Sequence, residues 1–141
     1  MERLVSQGYA LYLPLGHSPN VDVIAESDST LLRVQVKTTT RYTKRRWEVM
    51  ICTRGGNQSW NGVAKLFDPS RCDALFVLVG DGRRWFIPAA AVDARSGVRL
   101  GGPKYAEFEV EPGRPLPLVR DTDRYARLPR RGSRAVKGTR L

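Results

Sequence analysis

The sequence predicts a small single α/β domain whose core is a sheet of several short strands with few helices. Three observations carry that reading. Short β-branched and aromatic runs alternate with turn-forming clusters along the body of the chain. Helical signals are confined to Glu2–Gly8, where glycine closes the last turns, and to Pro88–Ala94. With 141 residues and 41% hydrophobic content, the chain can bury one core and has no room for a second catalytic domain.

In chain order the expected strands are Tyr9–Leu13, Val21–Glu26, Leu31–Thr38, Trp47–Thr53, Ala74–Val79, Arg84–Pro88 and finally Lys104–Val110. Gly80-Asp81-Gly82-Arg83 joins the fifth and sixth as a hairpin, and Gly55–Ala64 reads as a loop. A Pro-rich hinge at 112–117 precedes a stretch with Arg124, Arg127, Arg130, Arg131, Arg134, Lys137 and Arg140 and almost no aliphatic residues. The expected division is a globular domain over 1–119 and a basic, disordered tail over 120–141.

No apolar run approaches the roughly 20 residues that span a bilayer, and the N-terminus lacks a signal-peptide stretch, so a cytoplasmic protein with no membrane partner is expected. Cys52 and Cys72 are far apart and lack a CxxC pattern, which excludes a zinc knuckle and reads as two buried thiols. A net charge of +10 attracts polyanions, and nucleic acid is the partner it favours.

The segments Val21–Glu26 and Leu31–Lys37, around the turn Ser27-Asp28-Ser29-Thr30, read as a β-hairpin. Pairing Val23 with Val34, Val21 with Val36 and Ala25 with Leu32 makes one face uniformly apolar. The same register sets Asp22 opposite Gln35, with Cβ atoms about 4.5–5.5 Å apart. Lys37 follows on that face about 6–7 Å along the strand. A carboxylate, an amide oxygen and the Val36 carbonyl suit a hard cation such as Mg²⁺, and an ammonium can hold the nucleophilic water or offset phosphate charge. Taken singly, each residue has an ordinary structural role: Asp22 as a cap near a turn, Gln35 as an edge polar group, Lys37 as a solvated charge.

The pattern Gly8-Tyr9, Leu13-Pro14-Leu15-Gly16, Asn20-Val21-Asp22 and Arg33-Val34-Gln35-Val36-Lys37-Thr38 resembles the PD-(D/E)XK nuclease superfamily. More narrowly it is similar to the branch of group I intron homing endonucleases, in which Gln replaces the acidic member of the motif. Cys72–Val77 and Trp85–Pro88 extend the likeness, which covers roughly Gln7 to Pro88. The resemblance implies a restriction-endonuclease-like core with a mixed sheet, and DNA cleavage dependent on Mg²⁺, with Mn²⁺ as a substitute. It implies Asp22, Gln35 and Lys37 as the catalytic set, and a mobile element or DNA processing as the setting. One active site cuts one strand, so a double-strand break implies a homodimer or higher homo-oligomer.

One feature of that branch is missing. Its members carry a glutamate about three helical turns before the Gly-Tyr pair, a position that falls ahead of Met1. Glu2 does not fit the spacing, so the first helix reads as truncated and a catalytically inactive binding module of the same fold is the alternative. An RNA-binding protein dominated by its basic tail is a third reading.

The expected nucleic-acid contacts are Arg41, Lys44, Arg45, Arg46 and Arg54, with Asn57, Gln58 and Trp60 in the following loop and Arg130 and Arg131 in the tail. Trp47, inside a strand, is expected to pack. His17, the only histidine, reads as a solvated loop residue beside Asp22.

Overall fold

The computed structural model describes residues 1–16, 20–54, 64–111 and 113. The chain opens with α1 (Glu2–Ser6), which ends because Gly8 takes φ +86°, a conformation that glycine adopts without strain. The Gly8 and Tyr9 N–H groups then donate to the Val5 and Leu4 carbonyls at 3.0 and 3.1 Å, so orphaned helix carbonyls are satisfied. Leu4 is buried and Tyr9 packs against the same cluster.

Eleven strands follow among the described residues: β1 (Ala10–Tyr12), β2 (Val23–Ser27), β3 (Thr30–Thr39), β4 (Tyr42–Thr43), β5 (Arg46–Met50), β6 (Thr53–Arg54), β7 (Ala64–Lys65), β8 (Ala74–Val79), β9 (Arg84–Pro88), β10 (Gly97–Leu100) and β11 (Glu109–Val110). Six form a mixed sheet in the order β1-β2-β3-β8-β9-β11, in which only β3 and β8 are parallel. A parallel pair needs a long crossover, and residues 40–73 supply it through small strands. Those strands make a second sheet, β10-β5-β4, and the β6-β7 ribbon.

Side-chain parity divides the core between the two faces of the main sheet. Val23, Ala25, Val34, Ala74 and Phe76 pack with Leu4 on one face. Leu75, Val77, Val79, Trp85 and Ile87 pack on the other against Trp47, Val49, Ile51, Val98 and Leu100 of the small sheet. β8 is covered on both sides, which explains its unbroken apolar run.

The expected β2–β3 register is observed, with Val23 opposite Val34 and Ala25 opposite Leu32. A two-residue turn, Asp28 at φ 46° and Ser29 at φ 67°, closes it. The predicted spans of β8 and β9 match those observed, and Pro88–Ala94 contains a 3₁₀ turn at Ala89–Ala91.

Three expectations need correction. Trp47–Thr53 is not one strand, because the Ile51 and Cys52 N–H groups both turn to the Ser96 carbonyl before β6 resumes. In Lys104–Val110 only Glu109 and Val110 are extended. Lys104 and the Tyr105 hydroxyl both reach Asp93, at 2.6 and 2.5 Å, while Tyr105 takes φ 64° and turns the chain. The loop expected to close at Ala64 already enters β7 there; residues 55–63 lie outside the described residues. The divide at residue 119 and the tail also lie outside them. Among the described residues no helix is long and apolar enough to cross a membrane.

The parallel pair is held at its start by an ion pair. The Arg33 backbone N–H donates to Asp73 Oδ2 at 2.7 Å and its guanidinium to both carboxylate oxygens at 3.1 and 2.9 Å, while the Asp73 N–H donates to the Arg33 carbonyl at 2.8 Å. Hydrogen bonds from the Arg33 side chain, then its backbone, hold the Asp73 carboxyl below the usual carboxylate range. A depressed folded-state pKa gives stability that is present above the unfolded value of about 3.9 and lost as pH falls through the folded one. Urea midpoints measured from neutral pH down to about pH 3 are expected to fall more gently for Asp73→Asn than for the wild type; identical slopes would show that the pair does not link folding to protonation.

Candidate active site

The β2–β3 ladder ends at Val23–Val34, so neither the Asp22–Gln35 nor the Val21–Val36 pair that the apolar pattern suggests is made. Instead the Asp22 N–H donates to the Val34 carbonyl at 2.9 Å, and the Val36 N–H donates to Asp22 Oδ2 at 2.7 Å. The two strands therefore part at Asp22, with the carboxylate standing in for a strand carbonyl.

This substitution decides what faces the gap. The N–H and C=O of one strand residue point to the same edge, so the Val36 carbonyl points toward Asp22 and away from β8. The Val36 side chain belongs to the Leu4 face, and only its backbone can serve the site. Gln35 and Lys37 have the opposite parity, beside Leu75 and Val77 of β8. Gln35 is 4% exposed, one of two buried polar or charged residues among those described, and Lys37 is half-buried. Gln35 and Lys37 thus share one face of β3, and Asp22 bonds the edge of that strand at Val36, the residue between them.

A cleft of about 310 Å³ lies nearby, lined by Asn20, Lys65, Leu66, Asp68 and Arg71. Asn20 precedes Asp22 by two residues, and Arg71 leads into β8. Sequence reasoning did not single out Lys65, Asp68 or Arg71, because each lies on a connection whose path the sequence does not reveal. Asp68 accepts from the Ser70 hydroxyl and N–H at 2.6 and 2.9 Å, and those bonds hold its carboxyl low. Burial and the Asp73 carboxylate push the Cys72 thiol up, and the side chain packs in the core.

The donors suit a hard cation in kind: one carboxylate, one amide oxygen and one backbone carbonyl. Asp22 Oδ2 already accepts the Val36 N–H, so Oδ1 is the atom through which Asp22 would hold a cation. No group of three or more His, Cys, Asp or Glu residues is placed to hold a metal among the described residues. A single carboxylate fits Mg²⁺ only where waters and substrate phosphate fill most of the shell. Glu2 supplies nothing here, since its carboxylate lies 3.9 Å from the Arg84 guanidinium.

The other expected contacts fall in three groups. Arg41, Lys44, Arg45 and Arg46 lie on or beside the β4–β5 hairpin, apart from the Asp22 gap. Trp47 is buried in the core, as expected. Arg54 begins the described part of the β6-β7 ribbon, and its side chain, together with His17, Asn57, Gln58, Trp60, Arg130 and Arg131, lies outside the described residues.

A family model described as PD-(D/E)XK endonuclease matches residues 1–100. The chain belongs to the PD-(D/E)XK endonuclease family. No curated protein sequence matches this family member. Among solved structures, the bacterial homing endonuclease I-Ssp6803I superposes with a TM-score of 0.64 at 19% identity, covering 77% of this chain and 79% of that one. That likeness confirms the restriction-endonuclease-like α/β fold with its mixed sheet and few helices.

Two measurements probe the geometry of the site. Asp22→Ala removes the acceptor of the Val36 N–H, and faster hydrogen exchange at that one amide is expected; unchanged exchange would refute the bond. Gln35→Met, which replaces a buried amide by an apolar group of similar size, is expected to raise unfolding stability by about 1 kcal/mol in urea titrations. A loss of stability would mean that Gln35 is there for the fold.

Proposed function

We propose that this chain is a Mg²⁺-dependent DNA endonuclease, with Asp22, Gln35 and Lys37 as its catalytic residues. The observation that carries the reading is the gap where β2 leaves β3: the Asp22 carboxylate accepts the Val36 N–H there, and Gln35 and Lys37 flank Val36 on β3. Asp22, Gln35 and the Val36 carbonyl would hold the cation, and Mn²⁺ would substitute. A bound Mg²⁺ supplies positive charge where negative charge develops on the phosphoryl group. Lys37 orients the attacking water by hydrogen bonding and offsets charge on the scissile phosphate. Water adds to phosphorus as the P–O bond of the leaving nucleotide breaks.

Family membership supports DNA as the substrate, and the homing endonuclease fold supports action on a duplex. Cutting both strands requires a second site, supplied in this reading by another copy of the chain. The competing reading, an inactive binding module, is favoured by one observation: among the described residues no group of three or more His, Cys, Asp or Glu is placed to hold a metal.

Supercoiled plasmid incubated with the purified chain separates the two. Nicking is expected with Mg²⁺ or Mn²⁺ and not without, and Lys37→Ala or Asp22→Asn should slow it by about 100-fold or more while far-UV spectra stay unchanged. Plasmid binding without nicking by the wild type would establish the inactive module.

A further inference from the structure

The β4–β5 hairpin is closed by an unusual pair of residues. Tyr42 faces Trp47 and Thr43 faces Arg46, which leaves Lys44 and Arg45 as a two-residue turn with φ of 49° and 62°. Such a turn needs positive φ at both positions and favours Asn-Gly or Asp-Gly, because a Cβ crowds its own backbone there and a short polar side chain offsets the cost by bonding locally. The comparable turn between β2 and β3 is made by Asp28 and Ser29, polar residues with short side chains. At the β4–β5 turn the chain instead places two long cations where they destabilise the fold, a pattern characteristic of functional positions.

Their charge is also uncompensated. Lys44 and Arg45 are exposed and form no ion pair with any described residue. Nearby, Arg41 and Arg99 share Glu48 at 2.8 and 3.2 Å and Lys104 pairs with Asp93, whereas Arg46, like the two turn residues, is in no ion pair among the described residues. The tip is braced from behind, because Arg46 Nη1 donates to the Arg45 carbonyl at 2.8 Å and the Arg46 guanidinium lies against Gly102. A Cβ at Gly102 would meet the Arg46 guanidinium, so glycine leaves room for the arginine in this position. Tyr42, half exposed, stands against Trp47 at 4.8 Å between ring centroids and stiffens the base of the finger.

We infer that the Lys44-Arg45 turn is a rigid finger that grips the sugar–phosphate backbone of a DNA duplex away from the scissile bond. The identity of the ligand rests on the endonuclease reading. Two unpaired cations fixed on a short turn suit phosphates, whose contacts set position and carry no sequence information. Seven residues separate Lys37 from Lys44, a reach of at most about 25 Å. At about 3.4 Å per base pair, the finger meets the backbone within about seven base pairs of the cut.

The test is the full chain carrying Lys44→Asn with Arg45→Gly, beside Lys44→Gln with Arg45→Gln. Binding to an intact duplex is measured without divalent metal across a salt series. Both double variants are expected to bind more weakly, with log–log salt slopes shallower by about 1.8, two released phosphate contacts at about 0.9 each. Lys44→Asn with Arg45→Gly is also expected to melt at a higher temperature, because its residues suit the turn. Wild-type affinity and slope in both variants would overturn the inference and leave the tip to an acidic protein surface. So would failure of the wild type to bind duplex at all. Duplex binding that falls in both variants, from a wild type that never nicks, would uphold the finger while removing the endonuclease reading.

Discussion

The Val36 N–H has no strand carbonyl to bond with, and the Asp22 carboxylate takes its place. Everything at the gap depends on that exchange. An ordinary ladder would have continued through Val21, closed β2 against β3 and occupied the Val36 carbonyl. By turning its own N–H to Val34 and its carboxylate to Val36, Asp22 ends the pairing without leaving either backbone donor unsatisfied. The carbonyl on the same edge then points to the side of the Asp22 carboxylate.

Such a break in the ladder can persist because β3 is anchored from its other side. Its parallel register with β8 is clamped where it begins by Arg33 and Asp73, and β8 is buried on both faces. Gln35 and Lys37 therefore sit on a strand that cannot slip by one residue, since a slip would exchange the Leu4 face for the Trp85 face along its whole length. The small sheet covers the face that carries Gln35, supplying Trp47, Val49 and Ile51 to its core. Packing that stabilises the domain also excludes water from the Gln35 side of the site.

The parts that the sequence made legible are those governed by alternation. Valines at 21, 23, 34 and 36 admit one register that keeps the apolar face whole, and that register sets Asp22, Gln35 and Lys37 on one face. Alternation says nothing of where a ladder ends, so the loss of the Val21–Val36 pair was not foreseeable. Nor were β4, β7 and β10, which are too short to show an alternating pattern. Lys104–Val110 looked extended because its composition is right. What bends it is Asp93, a neighbour only in space. Arg33 and Asp73 stand 40 residues apart, and only the crossover joins them. The chemical meaning of the Asp, Gln and Lys set came from resemblance to a family, because an isolated Gln-x-Lys pair has no chemistry of its own.

The distribution of charge bears on why Asp22 is the acid at this position. Many described carboxylates are spent on arginine or lysine: Glu48 on Arg41 and Arg99, Asp73 on Arg33, Glu109 on Arg83, Asp93 on Lys104, Asp68 on Arg71. In a chain of net charge +10, an exposed acid readily acquires such a partner. Asp22 is in no ion pair among the described residues; its recorded partner is a neutral backbone N–H. A guanidinium would fix the carboxylate just as well, but it would cancel the charge that a divalent cation requires. Anchoring by the backbone orients the group and keeps its charge, an arrangement that Asp81 shares at the β8–β9 turn, where it accepts the Arg83 N–H at 3.0 Å.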